Sequence, residues 1–127
     1  MTKAHQELIE RFYTAFQKRD AEEMAKCYHD EVVFSDPVFT HLVGEDARNM
    51  WRMLCERGED LRIRFDGVEV AGQDGQARWE AWYTFSQTKR KVHNVIGATF
   101  EFKDGLIVRH KDDFNLYRWT RQALGAP

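Results

Sequence analysis

The second half of the chain is dominated by long stretches in which polar and apolar residues alternate. These stretches cover residues 61 to 70, 76 to 86, 91 to 103 and 106 to 114. Alternation rich in β-branched and aromatic residues predicts strands, because successive side chains of a strand point to opposite faces. Residues 72–75 (GQDG) and 103–105 (KDG) separate neighbouring stretches and are typical of hairpin turns. We therefore expect consecutive strands to pair antiparallel.

The first half of the chain is patterned for helices. A helix over residues 4–18 is predicted by apolar side chains at helical spacing, namely Leu8, Phe12, Ala15 and Phe16. Asp20 and Glu23 resemble a capping box that opens a short second helix. The inner face of that second helix is predicted to carry Met24, Cys27 and Tyr28. A third helix is predicted over 46–57, with Met50, Met53 and Leu54 as its buried stripe.

This order of elements predicts an α+β fold in which helices cover one face of a sheet. At 127 residues the chain fits one domain, residues 1–127. The opposite face of the sheet carries Trp82 among Arg78, Glu80 and Thr84. A tryptophan among charged residues on an outer sheet face suits a moderately polar interface, so we expect a homodimer through that face.

Composition and charge exclude several classes of function. Nineteen basic against 21 acidic residues give a formal charge of -2 without a long basic run, which argues against nucleic acid as a partner. The polar start lacks the pattern of a signal peptide, and no apolar run could span a membrane, so a cytoplasmic protein without membrane association is expected. Cys27 and Cys55 form no C-x-x-C and are interpreted as reduced thiols. The spacing of the histidines predicts no metal site, and no glycine-rich motif indicates a cofactor.

The last predicted strand combines apolar and titratable residues on one face. Alternation places Leu106, Val108, His110, Asp112 and Phe114 on that face. The face is either solvated or lines a cavity, and its apolar members favour the cavity. On one face, His110 and Asp112 are close enough to interact electrostatically. Such a pair can act as an acid and a base near neutral pH. A shift of one residue in register would turn Arg109 and Asp113 inward instead.

Asp36 and Asn94 are further candidate polar groups. Asp36 lies in an extended segment, residues 32–39, where burial beside an apolar pocket would raise the pKa of its carboxyl group. Alternatively, Asp36 and Pro37 start a turn in which the carboxylate accepts backbone N–H groups. Asn94 interrupts an apolar strand face, where it either donates to a ligand oxygen or is a satisfied core amide.

Two segments, together with the order of the elements, resemble one protein family. FSDPVF at residues 34–39 and HNVIGATFEFKDGLIVRHKDDFNLYRW at residues 93–119 are similar to the SnoaL-like branch of the nuclear transport factor two superfamily. That superfamily also includes ketosteroid isomerase and limonene epoxide hydrolase. The resemblance covers nearly the whole chain and implies a cone-shaped, cystatin-like fold, in which a strongly curved antiparallel sheet wraps around N-terminal helices. The cone is expected to open onto an apolar pocket.

The resemblance to ketosteroid isomerase holds at one catalytic position and fails at two others. Asp36 stands where ketosteroid isomerase has its general base, in a similar Asp-Pro context. The oxyanion-donating tyrosine of that enzyme falls on Phe12, with Tyr13 one residue out of phase, and its second acid falls near Ala98. Two of three catalytic positions thus depart from ketosteroid isomerase, which argues against steroid isomerisation by that mechanism.

The SnoaL-like cyclases resemble this chain in the last strand, where their acid/base aspartate and a nearby histidine fall close to Asp112 and His110. We therefore expect a small apolar organic ligand, bound by Phe12, Phe16, Phe34, Trp79, Tyr83, Asn94, Ala98 and Phe114. The hypothesis is a cofactor-independent isomerase or cyclase that transfers a proton next to a carbonyl group. Asp36 or Asp112 would act as the base, His110 would tune or relay the proton, and Asn94 would stabilise the enolate. The alternative is a non-catalytic ligand-binding or dimerisation module of the same fold.

Overall fold

The structure is a computed structural model that describes residues 2–125. Its elements are, in chain order, α1 (Thr2–Gln17), α2 (Ala21–Lys26), β1 (Tyr28–Ser35), β2 (Leu42–Val43), α3 (Glu45–Arg57), β3 (Arg62–Ala71), β4 (Asp74–Phe85), β5 (Arg90–Lys103), β6 (Leu106–Asp113) and α4 (Leu116–Leu124). The helical first half and the stranded second half are confirmed. None of the helices in this part of the chain has the length and apolar character needed to cross a membrane.

All strands join one sheet in the order β2–β1–β6–β5–β4–β3. The strands β3 to β6 pair antiparallel with their sequence neighbours, as the hairpin turns predict. In contrast, β1 pairs parallel with β6, so the sheet is mixed rather than antiparallel throughout. The reason is topological, because β1 and β6 are separated by the whole meander and no hairpin fixes their relative direction.

Irregularities in the strand pairing curl the sheet around the helices. The pairing of β3 with β4 shifts register between Asp66 and Glu69, where Gly67 has a φ of 64°. A bulge bends its strand and increases the local twist, and glycine adopts positive φ without a steric penalty. A second shift occurs where β5 pairs with β6, between Glu101 and Phe102.

The second bulge decides which side chains of β6 face inward. Val108 is the extra residue, because Arg109 pairs with Glu101 while Ile107 pairs with the next residue of β5. Ile107 is therefore buried, whereas Leu106 and Val108 are only half-buried. The prediction that Leu106 and Val108 share the inward face was wrong, since the bulge interrupts the alternation before His110.

The helices α1 and α3 bury apolar side chains against the concave face of the sheet. The buried residues of α1 are His5, Leu8, Ile9, Phe12, Tyr13, Ala15 and Phe16. Those of α3 are Ala47, Met50, Trp51 and Cys55. The predicted stripe of α3 was partly wrong, because Met53 is only half-buried and Leu54 is 37% exposed. Ala47, Trp51 and Cys55 form the i, i+4, i+8 row that places the indole inside.

One end of the sheet gathers the segments that carry the candidate site. The parallel strands β1 and β6 both end there, so Asp36 and Phe114 follow them at the same end. Gly97 lies opposite Asp113, which means that residues 90–96 of β5 extend beyond the end of β6. The helix α4 packs over this extension. Asn115 caps α4, because its side chain accepts a hydrogen bond from the amide of Arg118.

Candidate functional site

His110 lies at the centre of the interior and has no exposed surface. Aromatic rings surround its imidazole, with centroid distances from 4.5 Å to 6.1 Å, and belong to Phe12, Tyr28, Phe34, Trp51 and Phe100. The indole of Trp51 stacks on the imidazole with an interplanar angle of 14°. These contacts hold the imidazole ring in one orientation.

Hydrogen bonds join His110 to partners on both of its nitrogens. The indole Nε1 of Trp51 donates to the hydroxyl of Tyr28 at 2.8 Å, and that hydroxyl lies 2.8 Å from Nδ1 of His110. On the other side, Nε2 of His110 lies 2.8 Å from Oδ1 of Asp112. Because an ionised carboxylate only accepts, Nε2 carries the proton, and Nδ1 accepts from the Tyr28 hydroxyl. This tautomer gives every donor in the chain of hydrogen bonds an acceptor.

The buried chain of hydrogen bonds ends at Asp112. Its Oδ1 also accepts from the indole Nε1 of Trp79 at 3.4 Å. Its Oδ2 forms no hydrogen bond within residues 2–125, and the residue is 3% exposed. Ala98 lies opposite Asp112 on β5 and is itself buried, so the carboxylate is enclosed by the core. Oδ2 of Asp112 thus has no partner within the chain of hydrogen bonds, and an external donor reaches it only if a neighbouring side chain moves.

Tyr13 places a second free polar group in the same interior. Its hydroxyl is buried and has no hydrogen-bond partner among the described residues. The ring packs near Trp79 and Phe100, at centroid distances of 6.1 Å and 6.3 Å. Burial, followed by the charge of Asp112, raises the pKa of the Tyr13 hydroxyl well above its ordinary value. The hydroxyl therefore keeps its proton and can donate a hydrogen bond.

Asp36 is half-buried at the open end of the sheet. Its Oδ1 accepts from the backbone amides of Val38 at 2.7 Å and Phe39 at 2.6 Å, so the predicted Asp-Pro turn is present. Burial raises the pKa of the Asp36 carboxyl group, although the two amide hydrogen bonds oppose this shift. The charge of Asp112 raises it further. Asp36 is therefore a turn residue, and its carboxyl group also interacts electrostatically with the buried Asp112.

The other predicted ligand-binding residues lie at different depths. Phe12, Phe16, Phe34, Trp79 and Ala98 are buried in the core beside the His110–Asp112 pair, whereas Phe114 is half-buried against the core. Asn94 is on the predicted inner face, opposite Ala81, but lies four residues along β5 from Ala98, about 13 Å at the usual strand rise. Tyr83 lies opposite Val92, further out, where its hydroxyl accepts from Trp119. Alternation predicts the face of a side chain but not its depth.

The sequence interpretation missed two residues that contact His110, namely Tyr28 and Trp51. Tyr28 was placed on the second helix but begins β1, opposite Ile107. Trp51 was not considered, although its i, i+4 relation to Ala47 and Cys55 could have indicated a buried row. Tyr13, judged to be out of phase, is fully buried.

The aromatic rings fill the interior around His110, so the predicted apolar pocket is not open there. Two surface cavities lie elsewhere. The first, of ≈ 490 Å³, lies at the β3–β4 hairpin and includes Glu69, Gln76, Thr99 and Arg109 in its lining. The second, of ≈ 400 Å³, lies between α4 and the start of β5. Neither cavity is lined by Asp36, His110 or Asp112.

Comparisons with known proteins agree with this architecture. The sequence profile of the SnoaL-like domain matches residues 9–110. No curated protein matches the chain. Among solved structures, TsrD from Streptomyces laurentii is 24% identical, with 98% of this chain and 97% of that chain covered and a TM-score of 0.79.

Two further structures are similar over most of their length. An LEH-like epoxide hydrolase from M. tuberculosis is 18% identical, with 97% of this chain and 91% of that chain covered and a TM-score of 0.80. TerC, co-crystallised with polyporic acid, is 15% identical, with 94% and 97% covered and a TM-score of 0.81. Similarity at this level of identity concerns the fold, and the expected α+β cone is confirmed.

Proposed function

Because this chain belongs to the SnoaL-like domain family, we propose that it binds a small organic carbonyl compound and transfers a proton next to the carbonyl group. The observation that carries the proposal is the buried chain of hydrogen bonds from Trp51 through Tyr28 and His110 to Asp112, which leaves one carboxylate oxygen free. A fixed carboxylate in an apolar environment is suited to remove a proton from carbon. The fold similarity to TerC supports an organic ligand.

Each polar group has a separate role in the proposed reaction. Asp112 accepts the proton, and His110 positions its carboxylate through Nε2. The unpaired hydroxyl of Tyr13 donates to the carbonyl oxygen as negative charge develops on it. Asp36, whose pKa is raised by burial, returns a proton to the product at the open end. Asn94 lies about 13 Å along β5 from Ala98, the residue paired with Asp112, so we propose Tyr13 rather than Asn94 for the enolate contact.

A non-catalytic binding module is the second candidate, and the filled interior around His110 favours it. A ligand reaches Asp112 only if an aromatic side chain moves. Phe114 follows β6 and is half-buried at the open end, so it is our candidate for that movement. A site that opens only for a ligand can bind without catalysing, and the two functions therefore need an experiment that measures both.

The test follows binding and proton transfer with the same compounds. Steroid-like, polyketide-like and terpene-like ketones are added to the protein in deuterated water, and loss of the proton next to the carbonyl is followed by NMR. Thermal unfolding of the same samples reports binding. We expect exchange with at least one compound class, and a loss of about 100-fold or more in the Asp112→Asn variant. Asp36→Asn is expected to retain binding and to slow exchange.

Asp113→Asn is the matched control, because Asp113 is exposed on the other face of the same strand. This variant should catalyse proton exchange in the compounds at the wild-type rate. Stabilisation by a ketone without any exchange above the buffer rate would favour the binding module. Equal rates for Asp112→Asn and Asp113→Asn would exclude Asp112 as the base.

We also propose that the chain forms a homodimer through the outer face of β4 and β5. Trp82 lies on this face, stacked on His93 at 4.7 Å, with the guanidinium of Arg62 5.5 Å from its ring. His93 in turn binds Glu80 at 2.7 Å. Aromatic and charged groups held in place on a sheet face support an interface of moderate polarity.

A further inference from the structure

The second surface cavity lies in a part of the molecule whose charged residues are all basic. No acidic residue occurs between Ala81 and Phe100 or after Asp113, although the whole chain has a formal charge of -2. Five basic residues lie in these two segments: Lys89, Arg90, Lys91, Arg118 and Arg121. None of them forms an ion pair within the described part of the chain. The structure brings the two segments together, because α4 packs on β5.

The cavity has a volume of ≈ 400 Å³ and is lined by Arg90, Tyr117, Arg118, Arg121 and Gln122, which we call the arginine cavity. Arg90 is held in place, since its Nε donates to the carbonyl of Gln122 at 2.8 Å. Its guanidinium also packs 3.6 Å from the position of a β carbon at Gly125. The hydrogen bond from Arg90 to the last turn of α4 caps that helix and explains the position of the Arg90 side chain. It does not account for the guanidinium groups of Arg118 and Arg121, which have no acceptor within residues 2–125.

Gln122 supplies a second, independent sign of a ligand. Its Oε1 accepts from the backbone amide of His93 at 2.7 Å, which fixes the orientation of the side-chain amide. Its Nε2 is buried and has no hydrogen-bond partner among the described residues. A buried donor without an acceptor is costly unless a ligand or water satisfies it. The lining of the arginine cavity thus offers the guanidinium groups of Arg118 and Arg121, the remaining N–H groups of Arg90 and one amide donor, but no acidic group.

We propose that the arginine cavity binds a phosphate group, carried by a soluble phosphate ester or by a phospholipid headgroup. A phosphate monoester presents three non-bridging oxygens and up to two negative charges, and a phospholipid phosphodiester presents two such oxygens and one charge; both can accept from several converging donors at once. This site is separate from Asp112. Arg90 lies eight residues along β5 from Ala98, the residue paired with Asp112, which corresponds to about 26 Å of strand at the usual rise per residue.

The experiment measures phosphate binding by the full chain. Inorganic pyrophosphate is titrated into the protein at low ionic strength in a calorimeter, and co-sedimentation is measured with vesicles of phosphatidylglycerol and of phosphatidylcholine. The Arg118→Gln/Arg121→Gln variant should bind at least about tenfold more weakly, because two charge-assisted contacts are lost. Gln122→Glu should also weaken binding, since it keeps the acceptor for His93 but replaces the amide donor by a negative oxygen.

Arg57→Gln/Arg64→Gln is the matched control, because both arginines are exposed, lack ion pairs in the described chain and lie on other elements. It removes the same charge and should bind like the wild type. Pyrophosphate binding that depends on Arg118 and Arg121 supports a soluble ligand, and dependence seen only with phosphatidylglycerol supports a lipid headgroup. No binding in either assay, or equal losses in both double variants, overturns the proposal.

Discussion

At the scale of single residues, the hydrogen bonds of Tyr28 determine the tautomer of His110. The hydroxyl of Tyr28 accepts from Trp51, which can only donate, so its own hydrogen is directed to Nδ1 of His110. His110 must then keep its proton on Nε2, facing Asp112. Burial raises the pKa of the Tyr28 hydroxyl well above its ordinary value, and the hydroxyl remains a donor. One phenol thereby sets which nitrogen of the histidine binds the carboxylate.

Replacement of Tyr28 by phenylalanine should be strongly destabilising. The change leaves Nε1 of Trp51 and Nδ1 of His110 buried without partners, and each unsatisfied group costs about 1–3 kcal/mol. We expect the free energy of unfolding, measured by urea titration, to fall by roughly 2–4 kcal/mol. Tyr117→Phe is the control, since Tyr117 is 67% exposed, and it should change stability by less than about 0.5 kcal/mol. A fall no larger than that of Tyr117→Phe would contradict the bonding of Tyr28.

At the scale of elements, the pattern of the sequence predicts most of the architecture. Strand alternation and the KDG turn place β5 and β6 correctly, and the capping residue Asp20 begins α2 as expected. The alternation fails at Val108, because a bulge inserts one residue without any sequence signal that we recognised. His110 and Asp112 still face inward because they follow the bulge on a regular segment.

The site was less predictable than the fold, since its partners come from distant elements. Tyr28, Trp51 and Trp79 reach His110 and Asp112 from β1, α3 and β4. The face of each residue follows from local periodicity, but the depth at which side chains from different elements meet depends on sheet curvature and helix docking. Local patterns do not contain these quantities.

The outer face of β4 and β5 allows a prediction about assembly. If this face forms the homodimer, sedimentation equilibrium should give twice the chain mass of 15.1 kDa. Val95 lies on this face opposite Glu80, so Val95→Asp places two carboxylates side by side and should yield monomers. Tyr117→Asp, on α4, is the control and should remain dimeric. A wild-type protein that sediments as a monomer at every concentration reached would refute the interface.

At the scale of the whole molecule, folding buries several groups that can lose a proton. The aromatic interior encloses the hydroxyls of Tyr13 and Tyr28, and the two thiols, Cys27 and Cys55, belong to the same buried core. Burial raises the pKa of Cys27 and of Cys55 from 9.0 to about 11. The folded state therefore holds these protons at pH values where the unfolded chain has released them.

Stability should consequently decrease with increasing pH above about 9. Below pH 9 both states hold the thiol protons, so the full contribution is present, and it is lost as the pH rises toward about 11. The raised pKa values of Tyr13 and Tyr28 act in the same direction above pH 10. Urea titrations between pH 8 and pH 11 would measure the slope, and Cys27→Ala/Cys55→Ala should make it shallower even if the variant is less stable at pH 8. Because linkage depends only on the difference in bound protons, an unchanged slope in that variant would mean that the thiols titrate alike in both states.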